Sequence, residues 1–243
     1  MRIKGELFGN DNVQKILGEA DVLDYFLKYV KYPRTYHVPW SDNLQNDDKM
    51  HKDVSFLLNK PLVVSVKCDG ENTTMYRNYI HARSLDSGHH LSRSLVKALH
   101  GQIAHDIPEG FRVCGENMYA KHSIHYLHLK AYFYVFSIWN ENNFALSWKE
   151  TNEYADLLGL KVVPELCSGT YSTIEDLRKD IELNVKKYSE TSQDEIEGYV
   201  IRLAGRISYK DFRISTAKWV RKNHVQSPAN WMTQPVIPNK LEV

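Results

Sequence analysis

Cysteine is scarce in this chain. Its 243 residues include three, Cys68, Cys114 and Cys167. The count is odd and no C-x-x-C pair occurs, which excludes a disulfide framework and a cysteine zinc site and fits reduced thiols in a cytosol-like compartment. Long apolar runs are also missing: none approaches the roughly 18–20 residues that span a bilayer, and the mean hydropathy is −0.48. The first ten residues, MRIKGELFGN, lack an apolar signal core, so no membrane partner and a cytoplasmic location are expected. Charge of one sign is not in excess either. Lysine and arginine number 31 against 30 acidic residues, so the chain is no polycation, and any nucleic-acid binding must come from a local patch. No repeat and no Pro/Gly/Ser-rich linker divides the sequence. What is present is ordinary globular composition, 42% hydrophobic and 25% charged, which excludes disorder. A single domain over residues 1–243 is expected, with residues 1–60 an N-terminal helix and loop region.

Patterning along the chain gives an α+β class. Val22, Leu23, Phe26, Tyr29 and Val30 recur at helical spacing until Pro33 stops them. Pro39 to Asp48 reads as a surface loop. Leu62 to Lys67 is an apolar, β-branched strand, and Asp69-Gly70 is a turn signal. Asn72 to Arg77, Tyr79 to Arg83, Phe111 to Cys114 and the aromatic Tyr132 to Trp139 follow as strands. Ser147-x-x-Glu150 is a capping box whose helix Gly159 ends, and Thr173-x-x-Asp176 opens a second helix to about Tyr188. Gly198 to Leu203 returns to strand, and Ala217 to Lys222 is expected as a short helix. Strands and helices mix without regular βαβ alternation, which favours antiparallel sheets.

Four stretches carry chemistry. The first is Lys67-Cys68-Asp69-Gly70 at the end of an apolar strand. An unperturbed lysine is only about 0.04% neutral at pH 7, so a nucleophilic lysine needs its pKa lowered by several units or a metal nearby to repel its proton; the alternative is a solvent-facing lysine in a hairpin. The second is Glu195-Ile196-Glu197-Gly198, where alternate carboxylates on one side of a strand can coordinate a divalent metal through oxygen, or simply flank an exposed edge. Gly198 lets a ligand or another backbone approach closely. The third is Val200 to His224, with seven basic residues, a single acid (Asp211) and interleaved Phe212 and Trp219, a composition that suits phosphates and bases or a solvated basic face. The fourth holds Gly115-Glu116-Asn117 and then His122, His125 and His128. No carboxylate or cysteine completes these histidines at ligand spacing, so they read as exposed or as touching a phosphate or nucleic acid.

In order, the chain shows Lys67-x-Asp69-Gly70, His81-Ala82-Arg83-Ser84, Gly115-Glu116-Asn117, Tyr132 through Ile138, Glu197-Gly198-Tyr199-Val200-Ile201-Arg202 and a basic run around Lys218. This series resembles the motifs of the covalent nucleotidyltransferases, and most of all the ATP-dependent RNA ligases related to the nick-sealing second RNA ligase of T-even phages. Lys31 to Ser41 and Ala217 to Gln226 resemble a compact bacterial and phage branch of that family. The host cytoplasm would be the location if the chain is phage-encoded. The resemblance covers residues 31–226.

The resemblance implies a nucleotidyltransferase, ATP-grasp-like fold of two packed antiparallel sheets with flanking helices and nucleotide in the groove between them. It implies an RNA repair enzyme in which Lys67 attacks ATP to form lysyl-AMP. The adenylate then passes to an RNA 5′-phosphate, and a 3′-hydroxyl displaces AMP to seal the strand. Arg83 would contact a phosphate of nucleotide or RNA, Glu116 the ribose hydroxyls, and Phe136 would stack on adenine or belong to the core. Glu197 would hold magnesium or manganese, and Lys218 and Arg213 would neutralise the phosphates. Arg34, His122, Arg221 and Lys222 are the residues expected to touch RNA, and an end-healing kinase or phosphatase is a candidate partner. The alternatives are an RNA-end-binding module that does not seal and a DNA ligase or capping-type enzyme. Three departures stand out. The last motif lacks K-x-K, so Arg213-Ile214-Ser215 or Lys218 with Arg221 must fill it. Glu71 follows Gly70 where many ligases have a small residue. Only 25 residues follow Lys218, so no separate C-terminal domain is expected.

Overall fold

The computed structural model describes residues 29–41, 48–192, 195–221 and 235–242. In chain order its strands and helices are β1 (Pro61–Lys67), β2 (Glu71–Tyr76), β3 (Tyr79–Ala82), α1 (Ser94–Ile103), β4 (Arg112–Asn117), β5 (Phe133–Trp139), β6 (Phe144–Ala145), α2 (Trp148–Leu157), β7 (Lys161–Val162), β8 (Glu165–Thr170), α3 (Ile174–Ser192), β9 (Gly198–Leu203), β10 (Ile207–Ser208) and β11 (Thr216–Val220). They form two sheets. One is four-stranded and antiparallel, β11-β9-β1-β8; the other is seven-stranded, ordered β10-β6-β5-β4-β2-β3, with β7 added parallel to β5. The α+β class and the pair of packed sheets are as the sequence suggests.

Local chemistry accounts for the elements. The apolar run of β1 is buried at its five central positions because a sheet face and a helix cover both sides: Leu62 and Val64 meet Leu177 and Ile181 of α3, whereas Val63 and Val66 join the core that includes Tyr134 of the second sheet. Ser147 and Glu150 form the reciprocal capping box of α2, and Gly159, at φ +67°, ends that helix in the left-handed conformation. Helix α3 opens on Thr173, whose hydroxyl accepts from Asp176 N at 3.1 Å.

Three differences from the sequence reading have physical causes. Helix α1 went unread although Leu95, Val96, Leu99 and Ile103 lie at helical spacing; Gly101 and the polar loop before it mask the signal. Residues 216–220 form strand β11, not a helix, because Thr216 and Ala217 are buried against β9, and backbone pairing along Arg202 to Gly198 outweighs local propensity. Of the helix expected near residues 22–30, only Tyr29 and Val30 are described, and neither is helical; Lys222 and most of the Pro39 to Asp48 loop lie outside the described residues.

Residues 29–41 run beside β11. Lys218 N donates to Tyr36 O at 2.9 Å and Val38 N to Lys218 O at 2.8 Å, so this segment extends the smaller sheet and lends its side chains to the space between the sheets.

Gly198 is where β9 and β11 come closest. A Cβ there would lie 2.0 Å from Trp219 O, so the glycine admits a neighbouring backbone. Gly198→Ala must push β11 off β9, and the cost expected of such overpacking is about 1–3 kcal/mol or more, read as a lowered melting temperature; an unchanged Tm contradicts this packing.

Candidate active site

The site begins with register. β1 pairs with β9 so that Lys67 lies opposite Gly198, which brings the residue before β9, Glu197, beside the lysine. Lys67 Nζ donates to Glu197 Oε2. The carboxylate side chain is 7% exposed and the lysine side chain 26%, so the amine faces open space while its partner is enclosed. Burial pushes the Lys67 amine down, but the carboxylates of Glu197, Glu116 and Asp69 together outweigh it and hold its pKa above the usual lysine range. That corrects one expectation: the strand end alone does not make this lysine neutral, because its nearest neighbours are anions.

The turn after Lys67 is fixed from outside. Asp69 Oδ2 accepts from Ser123 N at 2.8 Å, Ser123 Oγ at 2.6 Å and Ile124 N at 2.7 Å. Asp69 N donates to Tyr126 Oη at 3.1 Å. Gly70 follows with no room for a side chain, since a Cβ would meet Asn117 O at 2.5 Å.

Lys67 opens onto a cleft of about 310 Å³ between the sheets. Glu116 (β4) and Phe136 (β5) line it from the larger sheet, Lys218 (β11) from the smaller one, and Arg83 and Arg34 from the flanking segments. Burial raises the Glu116 carboxyl to about 8, against the opposing pull of Lys67. Lys218 Nζ lies 3.2 Å from Asp48 Oδ1, the same oxygen that His37 Nε2 approaches at 3.2 Å. Burial lowers the Lys218 pKa while Asp48 raises it, with burial the larger effect. Phe136 is half-buried, with Tyr32 edge-on to it at a centroid distance of 4.8 Å.

A family model for RNA ligase matches residues 60–220. The chain belongs to the RNA ligase family. Among solved structures, two forms of an archaeal ATP-dependent RNA ligase are similar to it. One has 16% identity and a TM-score of 0.52, the other 14% and 0.53, and in both the match covers 79% of this chain and 48% of the archaeal one. A mutant Naegleria gruberi RNA ligase with ATP and Mn matches over 92% of this chain and 70% of its own, at 16% identity and a TM-score of 0.46. This chain therefore spans about half the length of the archaeal ligases, and at such identities the likeness concerns the fold alone. No curated protein matches the sequence.

Within this RNA ligase fold the sequence-predicted residues divide. Lys67, Arg83, Glu116, Phe136, Lys218 and Arg34 share the cleft, and Glu197 is joined to it through Lys67. Arg213 is exposed outside it, its guanidinium 5.8 Å from the Tyr36 ring centroid. Arg221 pairs with Glu195 at 2.5 Å, so the two carboxylates of the Glu195-Ile196-Glu197 stretch do not share a site. His122 is half-buried behind the Asp69 turn and is not a cleft residue; burial pushes its imidazole down, with Asp69 opposing. Glu71 is buried away from the cleft in an ion pair with Arg93, whose Nε donates to Glu71 Oε2 at 2.8 Å. Its presence after Gly70 thus reflects core pairing.

Sequence reasoning missed Asp48, Asn72, Tyr32 and Arg202. Arg202 is buried on the cleft wall and crosses between the sheets, donating from Nη2 to Leu146 O at 2.8 Å. A basic residue set within the otherwise apolar run Tyr199 to Leu203 was the available signal.

The raised Glu116 pKa is a stability statement. Below about 4.5 the carboxyl is protonated both folded and unfolded, so it contributes nothing there. Between that value and about 8 the unfolded chain ionises first, and folding becomes progressively less favourable. Glu116→Gln is therefore expected to raise the melting temperature by several degrees at pH 9 and to leave it unchanged at pH 4; an equal effect at both pH values contradicts the buried-carboxyl account.

Proposed function

We propose that this chain is an ATP-dependent RNA ligase in which Lys67 Nζ attacks the α-phosphorus of ATP. The N–P bond forms as the bond to pyrophosphate breaks, and the amine gives up a proton. The lysyl-AMP then donates adenylate to an RNA 5′-phosphate, and a 3′-hydroxyl displaces AMP as the strand is sealed. The observation that carries this reading is the pairing of Lys67 with Glu197 at the mouth of a cleft whose other walls bear an aromatic ring and separate cations.

The charges are arranged with direction. Lys67 sits in a corner rich in carboxylates; Lys218, two strands away on the same sheet, and Arg83 and Arg34, on flanking segments, line the rest of the cleft. Phosphates are drawn to those cations, and the adenosine end is left to Phe136 and to Glu116 as acceptor for ribose hydroxyls. Geometry favours Lys218 over Arg213 for the phosphates, since Lys218 reaches the cleft and Arg213 does not. Asp48 holds Lys218 in position until phosphate oxygens take its place.

Among the described residues no group of three or more His, Cys, Asp or Glu side chains is arranged to hold a metal ion. That fits magnesium or manganese, which is commonly bound through one or two carboxylates together with substrate phosphates and water. Glu197 is the residue that would hold such an ion. Such an ion would supply charge neutralisation at the phosphates.

Incubation with α-labelled ATP and magnesium is expected to leave acid-labile label on the denatured protein and none on Lys67→Ala. Full labelling of Lys67→Ala rejects the nucleophile, and label without sealing of nicked RNA reduces the activity to adenylylation. Lys218→Ala is expected to slow labelling about 100-fold or more, as removal of a transition-state charge partner does, whereas Arg213→Ala stays within about threefold, the size of a surface change. The reverse order would move the last motif to Arg213. Because Lys67 is held protonated, the labelling rate is expected to rise with pH from 7 to 9; a flat profile would mean that deprotonation does not limit the step.

A further inference from the structure

Residues 235–242 lie outside the family-matched stretch, yet they are bonded into the fold through the loop that follows β4. Lys121 N donates to Ile237 O, Asn239 N to Tyr119 O, Lys240 N to Tyr126 O, Leu129 N to Lys240 O and Glu242 N to Leu129 O, at 2.7–3.0 Å. At the centre is Asn239, 1% exposed. Its Oδ1 accepts from Tyr126 N at 3.0 Å, and its Nδ2 donates to Met118 O at 2.7 Å and Ala120 O at 3.3 Å. Every polar atom of that amide is used.

The same loop grips the turn that carries Lys67. Tyr126 Oη accepts from Asp69 N, Ser123 and Ile124 hold the Asp69 carboxylate, and Met118 Sδ lies 2.8 Å from where a Gly70 Cβ would stand. Asn239 thus binds the backbone at both ends of a segment, residues 118–126, whose middle holds Asp69. One residue, Cys68, separates Asp69 from the lysine.

We propose that Asn239 is a positioning residue for Lys67, with residues 235–242 acting as a strap that sets the Asp69 turn and so the direction of the amine. This rests on Lys67 being the adenylate acceptor. A displaced reacting group costs rate far more than affinity, and among the described residues the hydrogen bonds of the strap go to residues 118–132, not to Phe136, Lys218 or Arg83.

Cys68 supplies a readout besides activity, because it lies between Lys67 and Asp69 and is 8% exposed. In a Cys167→Ser background, which leaves Cys68 and the fully buried Cys114, Asn239→Ala is expected to speed reaction of Cys68 with a thiol-specific disulfide reagent. In single-turnover labelling the same variant should lose about 10- to 100-fold in rate, with the ATP concentration at half-maximal rate within about twofold. Tyr126→Phe, which keeps the fold's packing and removes the Oη acceptor, should act in the same direction. The double variant should be little slower than the worse single one, since both cut one chain of bonds. Unchanged Cys68 reactivity and unchanged rate in both variants overturn the strap, as do fully multiplicative effects. A wild-type protein that takes no label at Lys67 defeats the ligase reading, and the Cys68 measurement then still decides whether the strap holds the turn.

Discussion

The contact between Lys67 and Glu197 depends on one alignment: β1 pairs with β9 so that Lys67 is opposite Gly198. A slip of one residue would turn Lys67 to the other face of the sheet, because side chains alternate with period two. The register is held by burial. Leu62 and Val64 pack with Leu177 and Ile181 of α3, and Val63, on the opposite face, joins the core that includes Tyr134 of the other sheet. The hydrophobic pattern of β1 therefore fixes where an amine and a carboxylate meet, and the chemistry of the site is a consequence of core packing some ten ångströms of strand away.

The cleft is completed by chain outside the central strands. Residues 29–41 pair with β11 and contribute Tyr32 and Arg34. On the other side, residues 235–242 close over the loop after β4. The family-matched stretch, residues 60–220, supplies Lys67, Glu116, Phe136, Glu197 and Lys218; the flanking segments are hydrogen-bonded to β11 and to the loop after β4. Segments outside a sheet core are ordinarily weakly held, and here dense backbone bonding and the buried Asn239 amide tie residues 235–242 down.

Much of this was legible in the sequence, for reasons specific to each residue. β1 and β5 announce themselves as apolar or aromatic runs, and α2 by its capping box. Glu116 and Glu197 stand beside glycines that fit close approaches of backbone, Lys67 stands three residues before one, and Lys67 and Glu116 line one cleft. Other features were illegible because their cause is long-range. β11 has no strand signal strong enough to compete with its basic residues, and it is made a strand by β9. Arg213 and Lys218 are equally basic in sequence, but Lys218 lies on β11 and reaches the cleft, whereas Arg213 lies in the 3-10 turn before that strand. Asp48, some 170 residues from Lys218 in the chain, carries no local mark of being its partner. Glu71 resembled a change to the nucleotide site until Arg93, from a later turn, was found opposite it.

The protonated state of Lys67 gives the corner its internal logic. Three carboxylates around one amine stabilise the cation, and Glu116 is correspondingly forced up by burial and by its acidic neighbours. Burial works against the Glu116 carboxylate, while its neighbours favour Lys67 as a cation. Under the proposed reaction this is useful: a ribose that hydrogen-bonds Glu116 would relieve a buried carboxyl, and Glu197, the residue that would hold a divalent ion, would be shared between that ion and the lysine. Binding energy from the two ends of ATP would then be spent on freeing the amine between them, so that the nucleophile becomes reactive only when its substrate is in place. A lysine made neutral by burial alone would be reactive toward any electrophile that entered the cleft; one held by carboxylates waits for a ligand able to compete for them.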